Sequence, residues 1–497
     1  MTETVCDCDM WMAQAQACLQ AGDVSTAGRL AAQVLAQSPH NAEAYGVLGL
    51  IAKQAGRERL AVDFFEKAVG LDQNHPMYHF HLAALLQLQG RLADAKEHLL
   101  QAVQWQPNFA AALVNLGNIY FNEGDLTKAV NYYHTAIQQD PNQGMAYYNL
   151  GVIAQEFGRH VDALFFFDAA LRLDPQGAGI HMGRAFSLLM TDSYAQGWQE
   201  YEWRWQLPDR APRICPVPRW QGESLVGKRI YLYTEQGFGD ALMFARFMIP
   251  LRQRGGELFL ECKPELLRLL SSSKLADRVV AREPEDDAPP PFEYDYHLPL
   301  MSLPFVLQLN HLESFGRVVP YLRPESGLLA NWGERLGGGN GLVKVGLSWS
   351  GNPEAAVNRC RACQLADFFV LLGMPGVRFY SLQKGQPAQQ LTQLPEGHGV
   401  EDLSTQLTDF AETAAVLLHL DLLISTDTAI VHLAGGLGCP TWTLLHTASE
   451  WRWLQERSDS PWYPNMRLYR QSQPGDWRGV MKRVVRDLAV LVNQRAL

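Results

Sequence analysis

The densest group of reactive side chains follows the apolar run at residues 420–424. The chain there reads STDTAIVH, at the point where a predicted strand turns into a predicted helix. The first N–H groups of a helix have no partner inside it, and they attract anions. We therefore expect a pyrophosphate site built from the hydroxyl groups of Ser425, Thr426 and Thr428 and the N–H groups of the helix start. His432 follows one helical turn later and suits either a contact to sugar or phosphate or a place in the core.

Cationic and amide side chains follow two further predicted strands. Arg359 and Arg361 come after WSGNP, and Gln383 and Lys384 lie in SLQKG. Fixed cations at strand ends can neutralise the charge that develops on a departing nucleotide diphosphate, and the Gln383 amide can read a base or ribose. The alternative for each cation is an ordinary solvated surface charge.

A carboxylate ends the glycine-rich turn EQGFGD, at Asp240. Sugar transfer needs a base beside the acceptor hydroxyl, and Asp240 is the candidate for that role. The alternative is a helix cap, for which Asp is well suited. Glu235, in the same turn, is the second contender.

Several common sites are absent from the sequence. Gly237-x-Gly239 lacks the third glycine of a dinucleotide fingerprint, because residue 242 is Leu, and no P-loop, serine-nucleophile elbow or HExxH occurs. Cys360-x-x-Cys363 is half of a zinc site without a second half, so we expect no metal and reduced thiols.

The elements that carry these residues form two α/β series. The first spans residues 227–336 and begins with a βαβ unit over KRIYLYTEQGFGD and the following helix and strand. The second spans residues 337–497, and its first predicted strand follows GGGNG. Two doubly wound halves place a ligand cleft at the carboxyl ends of their strands.

The first 206 residues repeat. Glycines recur every 34 residues, at Gly22, Gly56, Gly90, Gly124 and Gly158, and an alanine follows each five residues later. This spacing resembles the tetratricopeptide repeat, a helical hairpin that stacks into an α-solenoid. We expect five repeats and a degenerate sixth at 176–206, whose aromatic end Trp198–Trp205 docks on the following domain. A proline-rich linker covers 207–226.

The concave groove of such a solenoid is its natural binding surface. Asn115 and Asn149 lie one period apart, where both amides can hold the backbone of an extended polypeptide, and a matching ladder marks the repeats of the nucleocytoplasmic O-GlcNAc transferase. Val47 and His81 interrupt the ladder in earlier repeats. The alternative is that Asn is simply common at that position.

Composition and charge narrow the classes of partner and the expected location of the protein. The formal charge is −10 and no basic stripe occurs, which argues against a nucleic-acid partner. The start MTETVCDCDM lacks the pattern of a secretory signal, and no transmembrane segment is predicted, so the expected location is cytoplasmic.

Taken together, EQGFGD, WSGNP, SLQKG and STDTAIVHLAGGLGCPTW resemble the heptosyltransferase-like glycosyltransferases, including relatives fused to tetratricopeptide repeats. The family's Asp-Thr-Gly stretch and its histidine fall on Asp427, Thr428 and His432, with Ala429 in place of the glycine, and its catalytic Asp falls on Asp240. The resemblance implies a GT-B fold of two Rossmann-like halves, with the donor held by the second half and no metal.

The expected function is transfer of a sugar, with inversion, from a nucleotide-diphosphate sugar to an acceptor bound by the repeats, most simply a protein. No other cofactor is implied. Two alternatives remain: an inactive binding scaffold, and a nucleotide-sugar epimerase or hydrolase on the same fold.

Overall fold

The chain divides into two compact units, Met1–Ile180 and His181–Leu497. The computed structural model describes residues 2–208, 210, 213–282, 290, 292–312, 318–337, 341–354, 358–394 and 397–496. The degenerate sixth repeat, which the sequence groups with the solenoid, therefore falls mostly in the second unit.

The first unit is a stack of helical hairpins. Its helices are α1 Thr2–Gln20, α2 Val24–Gln37, α3 Ala42–Gln54, α4 Glu58–Leu71, α5 Pro76–Leu88, α6 Leu92–Trp105, α7 Ala110–Asn122, α8 Leu126–Gln139, α9 Gly144–Glu156 and α10 His160–Leu173, with α11 Ala178–Met190 crossing into the second unit. All five turn glycines have positive φ, between 68° and 82°, a conformation that glycine adopts without steric cost. The alanine that follows each of them is fully buried where the two helices of a hairpin meet.

Two helix pairs show how tightly the repeats pack. A Cβ atom on Gly117 of α7 would lie 2.5 Å from the Tyr133 ring of α8, and one on Gly151 of α9 would lie 2.7 Å from the Phe167 ring of α10. A side chain at either glycine would force the aromatic ring out of the core. Leu116-Gly117 and Leu150-Gly151 therefore mark the sites where an aromatic ring of the second helix of a hairpin packs on the first helix.

The second unit begins at His181 and includes the aromatic segment that the sequence predicts to end a degenerate sixth repeat. Helix α12, Tyr194–Tyr201, is followed by a short 3-10 helix, Glu202–Gln206. Trp198 is almost fully buried, and its indole N–H donates to the Leu309 carbonyl at 3.1 Å. Its ring packs edge-on against Phe244 and Trp451. The segment is thus part of the core of the α/β unit.

The first sheet is parallel, with strand order β3-β2-β1-β4. Its strands are β1 Arg229–Tyr233, β2 Glu257–Cys262, β3 Arg278–Ala281 and β4 Tyr296–Pro299. The accompanying helices are α13 Phe238–Phe244, α14 Met248–Arg252, α15 Leu267–Ser272, α16 Leu303–Val306 and α17 Ser326–Leu336. Because β1 lies beside both β2 and β4, the turn after β1 opens at the point where the strand order reverses.

The second sheet is also parallel, with strand order β10-β9-β8-β5-β6-β7. Its strands are β5 Val343–Ser348, β6 Val377–Ser381, β7 Val400–Asp402, β8 Leu422–Thr426, β9 Thr441–Leu445 and β10 Met466–Arg470, and its helices are α18 Asn358–Arg361, α19 Phe410–Leu417, α20 Ala429–Leu437 and α21 Trp477–Ala496. This is the doubly wound order, in which ligands bind beyond the carboxyl ends of the two central strands. Here those strands are β5 and β8.

Candidate functional site

The STDT turn lies at this reversal point. β8 pairs with β5 up to Ser348 and Ser425, and α20 begins directly after Thr428. Ser425 and Thr426 are fully buried, and the Thr426 hydroxyl has no hydrogen-bond partner. Thr428 is the N-cap of α20, yet its side chain makes no capping hydrogen bond. The start of a buried helix is therefore left with donors to offer to a ligand.

The EQGFGD turn of the first sheet reaches the same place. α13 packs on α20 so closely that a Cβ atom on Gly239 would lie 2.9 Å from Cδ2 of His432 and 3.5 Å from the Ala429 Cα atom. Glycine at 239 is what allows the two helices to approach. The structure thus brings together the two turns that sequence reasoning chose independently.

Asp240 is held by both of its oxygens. Oδ2 accepts a hydrogen bond from the Gly237 N–H at 3.0 Å; Gly237 is the N-cap of α13 and Asp240 is its third residue, so Asp240 is not the N-cap itself but supplies the carboxylate half of a capping box. Oδ1 pairs with the guanidinium of Arg452, a residue of the loop between β9 and β10. The capping role is therefore present in this structure, and the proposed base shares its charge with an arginine.

Glu235 is tied elsewhere. Its carboxylate accepts a bidentate pair of hydrogen bonds from Arg204, at 2.9 and 3.1 Å. Burial raises the pKa of Glu235, and the charge of Arg204 opposes that rise. Glu235 therefore anchors Arg204, and both of its oxygens are engaged, as are those of Asp240.

Arg452 is the centre of a buried charged cluster. Its side chain is only 7% exposed, and it pairs with Glu450 as well as Asp240. Burial opposes its charge, but the two carboxylates outweigh that effect, so the pKa of Arg452 is raised above its ordinary value. Arg361 lies 3.8 Å from the other oxygen of Glu450.

This cluster contains donors without acceptors. The Nε atoms of Arg361, Arg452 and Arg470 are buried and have no hydrogen-bond partner. A buried donor left unpaired costs about 1 to 3 kcal/mol. An acceptor-rich ligand at this place would satisfy these donors.

Asp427 lies among these arginines. It is buried, and its Oδ2 atom has no partner. Burial raises the pKa of Asp427, the charge of Glu450 adds to the rise, and Arg361 and Arg452 oppose it. Asp427 is therefore suited to accept a hydrogen bond from a ligand hydroxyl or to donate one when protonated.

His432 is held by aromatic side chains. Its Nδ1 atom lies 2.9 Å from the Tyr463 hydroxyl, and its ring stacks on Trp453 with centroids 5.3 Å apart. Burial and the nearby arginines hold the pKa of His432 well below its usual range, so the ring is neutral at pH 7. Its packing matches the core alternative, and its edge lies against Gly239 of the site.

Gln383 does not face the cluster. Its carbonyl oxygen accepts from the Trp349 and Ser350 N–H groups at 2.8 and 2.9 Å, and its amide nitrogen donates to the Ser350 and Lys384 carbonyls. These bonds leave no capacity for a base or ribose, because an amide nitrogen has only two hydrogens. Gln383 instead braces the loops that follow β5 and β6, which corrects the role expected from the sequence.

The remaining predicted cations are placed differently from one another. Lys384 is exposed, and its ammonium donates to the Ser404 carbonyl at 2.7 Å. Arg361 belongs to the buried cluster. Arg359 lies in α18, and its side chain falls outside the described part of the chain.

A polar cavity of about 410 Å³ lies beside the loop after β5. Side-chain amides and hydroxyls line it, among them Ser350, Asn358, Gln386 and Gln390. A Cβ atom on Gly351 would lie 3.4 Å from the Thr428 methyl group, so this loop touches the STDT turn. The cavity is therefore adjacent to the start of α20.

In the first unit, Asn115 and Asn149 occupy equivalent, half-buried positions on α7 and α9. The Asn149 amide donates to Oδ1 of Asn118 at 2.7 Å, and the Tyr133 hydroxyl donates to the same oxygen. Asn149 thus joins neighbouring repeats. The equivalent His81 is also half-buried, and burial lowers its pKa to about 4.

Sequence reasoning missed Arg452, Arg470 and Arg204. The first two lie in or near SEWRWLQERSDSPWYPN, whose tryptophans are typical of aromatic stacking or core packing and not of a charged site. Only the fold brings this loop to Asp240. One signal in the sequence could have found this site: Arg452 is a charged residue between two tryptophans.

Two properties hold for the part of the chain that the structure describes. No group of three or more His, Cys, Asp or Glu side chains there is arranged to hold a metal ion. No helix there combines the length and the apolar character needed to cross a membrane.

Comparison with known proteins identifies the repeats. Models of the tetratricopeptide repeat match residues 19–86, 78–109 and 108–176. Residues 19–176 are therefore tetratricopeptide repeats, as the 34-residue spacing predicts.

The chain is 32% identical over 343 residues to Protein FlbA of Caulobacter vibrioides, a match that covers 62% of this chain and 55% of FlbA. The matched share is larger than the first 206 residues can supply, so the similarity extends into the α/β unit. A shorter match, 42% identical over 62 residues, is to a probable biofilm formation methyltransferase, WspC, of Pseudomonas putida, and covers 12% of this chain and 15% of WspC. The chain thus spans about half of FlbA and a small part of WspC.

Among solved structures, the crystal structure of MamA is similar to 33% of this chain, with 25% identity, coverage of 96% of MamA and a TM-score of 0.30.

Proposed function

We propose that this protein is a glycosyltransferase of GT-B type, which moves a sugar from a nucleotide-diphosphate donor to a polypeptide bound by its repeats. Transfer proceeds with inversion and without a metal ion. The observation that carries the proposal is the start of α20 at the β5–β8 reversal point, which has no side-chain cap, together with three arginines, Arg361, Arg452 and Arg470, whose buried Nε donors lack acceptors.

The donor's phosphates fit this arrangement chemically. Helix N–H groups and guanidinium groups are both preferred donors to phosphate oxygens. Arg361 and Arg452 stabilise the charge that grows on the leaving diphosphate, and they act without reorganising because packing and Glu450 already hold them. Arg470 donates hydrogen bonds to the Trp453 and Leu454 carbonyls, which hold its guanidinium group in place.

The nucleoside fits the polar cavity beside the STDT turn. A volume of about 410 Å³ is within the usual size of small-molecule sites. The lining offers amide and hydroxyl groups, which both donate and accept hydrogen bonds, as a base and a ribose require.

Asp240 is the base of the proposed reaction. Its carboxylate lies at the start of α13, across from α20, where an acceptor hydroxyl can reach the sugar carbon next to the diphosphate. The carboxylate takes the proton of that hydroxyl as the oxygen attacks. His432 is neutral and buried. We therefore assign it a role in the packing that shapes the site, and no role in proton transfer.

One observation favours the scaffold alternative. Both oxygens of Asp240 are engaged, one by its own helix and one by Arg452. A carboxylate that remained paired in this way in the presence of substrates would be a poor base, and the protein would bind nucleotides without transferring sugar.

The test is calorimetric titration with UDP, ADP, GDP and CDP and with the matching nucleosides. We expect one diphosphate to bind, and Arg452→Lys to weaken it by about tenfold or more, because lysine keeps the charge but loses the guanidinium donors. Arg378→Lys is the matched control, since Arg378 lies on β6 of the same sheet and pairs with Glu401 at 2.8 Å. Failure of all four diphosphates to bind would refute the proposal.

Binding without transfer would favour the scaffold. Transfer is measured by incubating the protein with the sugar derivative of the bound nucleotide and a polypeptide acceptor, with mass spectrometry of the acceptor. Release of free sugar in place of acceptor modification would favour the hydrolase alternative.

A further inference from the structure

The 3-10 helix Glu202–Gln206 follows the last repeat helix, α12, and it contacts the turn that carries Asp240. Arg204 of this short helix is fully buried. Its guanidinium group uses every N–H donor, because it binds the Glu235 carboxylate twice, Glu202 at 2.7 Å, the Tyr201 carbonyl at 3.1 Å and the Ser302 hydroxyl at 2.7 Å. A side chain held in this way has a single position.

The anchored residue, Glu235, is the first residue of the EQGFGD turn. Gln236, which follows it, has a φ of +63°, a left-handed conformation that is uncommon for a residue other than glycine. Such a conformation persists only where the surroundings enforce it. Lys263 donates to the Gln236 carbonyl at 3.1 Å, and the Gln236 amide donates to the Tyr201 hydroxyl at 3.2 Å.

The next residue carries the constraint to Asp240. The Gly237 N–H donates to the Asp240 carboxylate, so the position of this carboxylate depends on the backbone that Glu235 and Gln236 fix. The contacts therefore run without a gap from Arg204, through the turn, to Asp240.

We propose that Arg204 is a positioning residue for Asp240, and that it joins the 3-10 helix after α12 to the reaction centre through Glu235. Arg204 touches neither Asp240 nor the arginine cluster in these contacts; it acts by holding the left-handed turn. The role assigned to Asp240 rests on the proposed function, whereas the mechanical coupling does not.

The coupling is tested first without any substrate. Amide hydrogen exchange of the peptide spanning residues 234–244 is measured in the wild-type protein and in Glu235→Ala, in which Arg204 keeps Glu202 as a partner. We expect exchange of the Gly237 amide to accelerate by about tenfold or more, because its protection depends on the turn.

Glu261→Ala is the matched control. Glu261 is also a buried glutamate, and it is held by Arg213 and by Arg282, but it lies on β2 outside the turn. The Thr234 N–H donates to the Glu261 backbone carbonyl, which the substitution keeps, and we expect removal of the side chain to leave exchange of the Gly237 amide within twofold of the wild type. Equal acceleration in both variants, or none in Glu235→Ala, would overturn the coupling.

Two further variants separate the coupling from general loss of structure. Glu235→Gln keeps one carbonyl oxygen for Arg204, and we expect exchange between that of the wild type and that of Glu235→Ala. If Glu235→Ala does not fold, exchange in Glu235→Gln is compared with exchange in the wild type instead. Arg204→Lys keeps the buried charge but loses the bidentate contact, and we expect it to accelerate the same amide.

The consequence for the reaction is measured separately. If Arg204 positions the base, Arg204→Lys lowers kcat by about tenfold or more while the affinity for the nucleoside diphosphate changes less than twofold. An unchanged kcat beside accelerated exchange would overturn the positioning role. If the wild-type protein transfers no sugar, the exchange result still decides the coupling, and only the proposed function fails.

Discussion

Replacing Asp240 by Asn separates the two roles that the structure gives this residue. The amide oxygen of Asn still accepts from the Gly237 N–H, so the capping contact survives. The negative charge that pairs with Arg452 and serves as the base is lost. We expect turnover to fall by about a hundredfold or more, the usual scale for a general base.

The structure also predicts a cost in stability. Asp240 is 19% exposed and Arg452 is 7% exposed, so their contact is largely protected from water. A hydrogen bond to a charged group contributes about 1.5 to 3 kcal/mol, and Glu450 still compensates Arg452 in the variant. We therefore expect Asp240→Asn to lower the free energy of unfolding by about 1.5 to 3 kcal/mol, measured by denaturant titration.

The control for capping is Asp367→Asn. Asp367 accepts from the Gln364 N–H at 2.9 Å, the same three-residue arrangement, but at a 3-10 helix outside the charged cluster. We expect this variant to keep full turnover. If Asp240→Asn also kept full turnover, Asp240 would be a cap and a partner of Arg452, and the assignment of the base would be refuted.

Three further predictions follow from single contacts. Gly117→Ala should lower the free energy of unfolding by about 1 to 3 kcal/mol, because its Cβ atom would meet the Tyr133 ring. The control is Gly70→Ala in α4, which should not destabilise the protein, since a Cβ atom there meets nothing within 4 Å. Thermal denaturation measures both variants. Lys384→Ala should weaken nucleoside diphosphate binding less than threefold by calorimetry, because an exposed ammonium is screened by water; a loss of tenfold would place Lys384 on the phosphates. Asn149→Ala should lower the free energy of unfolding by about 0.5 to 1.5 kcal/mol, because its bond to Asn118 of the preceding repeat is lost.

The periodic parts of this chain could be predicted from the sequence. A repeat needs the same turn and the same close helix contact every 34 residues, so its glycines and alanines are visible without a structure. The parallel strands and the STDT and EQGFGD turns could also be predicted, because each strand, turn and helix is a local pattern.

The parts that depend on distant segments could not be predicted. The partner of Asp240, Arg452, lies more than two hundred residues away in the sequence, and no local pattern assigns a side chain to a partner at that distance. Gln383 shows the reverse error: its position after a strand suggested a ligand contact, but the backbone groups of the neighbouring loop use its whole amide. Local patterns located the turns, and only the fold could show which side chains remain available there.

The contact between Asp240 and Arg452 ties the base to the phosphate site, and this has a consequence for binding. The negative charge of Asp240 offsets part of the positive charge of Arg452 that attracts the diphosphate. Removing that charge leaves a more positive site, so Asp240→Asn should bind the nucleoside diphosphate about threefold or more tightly while turnover falls. The matching nucleoside, which has no phosphate, should bind with unchanged affinity, and Asp367→Asn should change neither. Weaker diphosphate binding by Asp240→Asn would mean that Arg452 depends on Asp240 for its position, and that the carboxylate supports the phosphate site instead of competing with it.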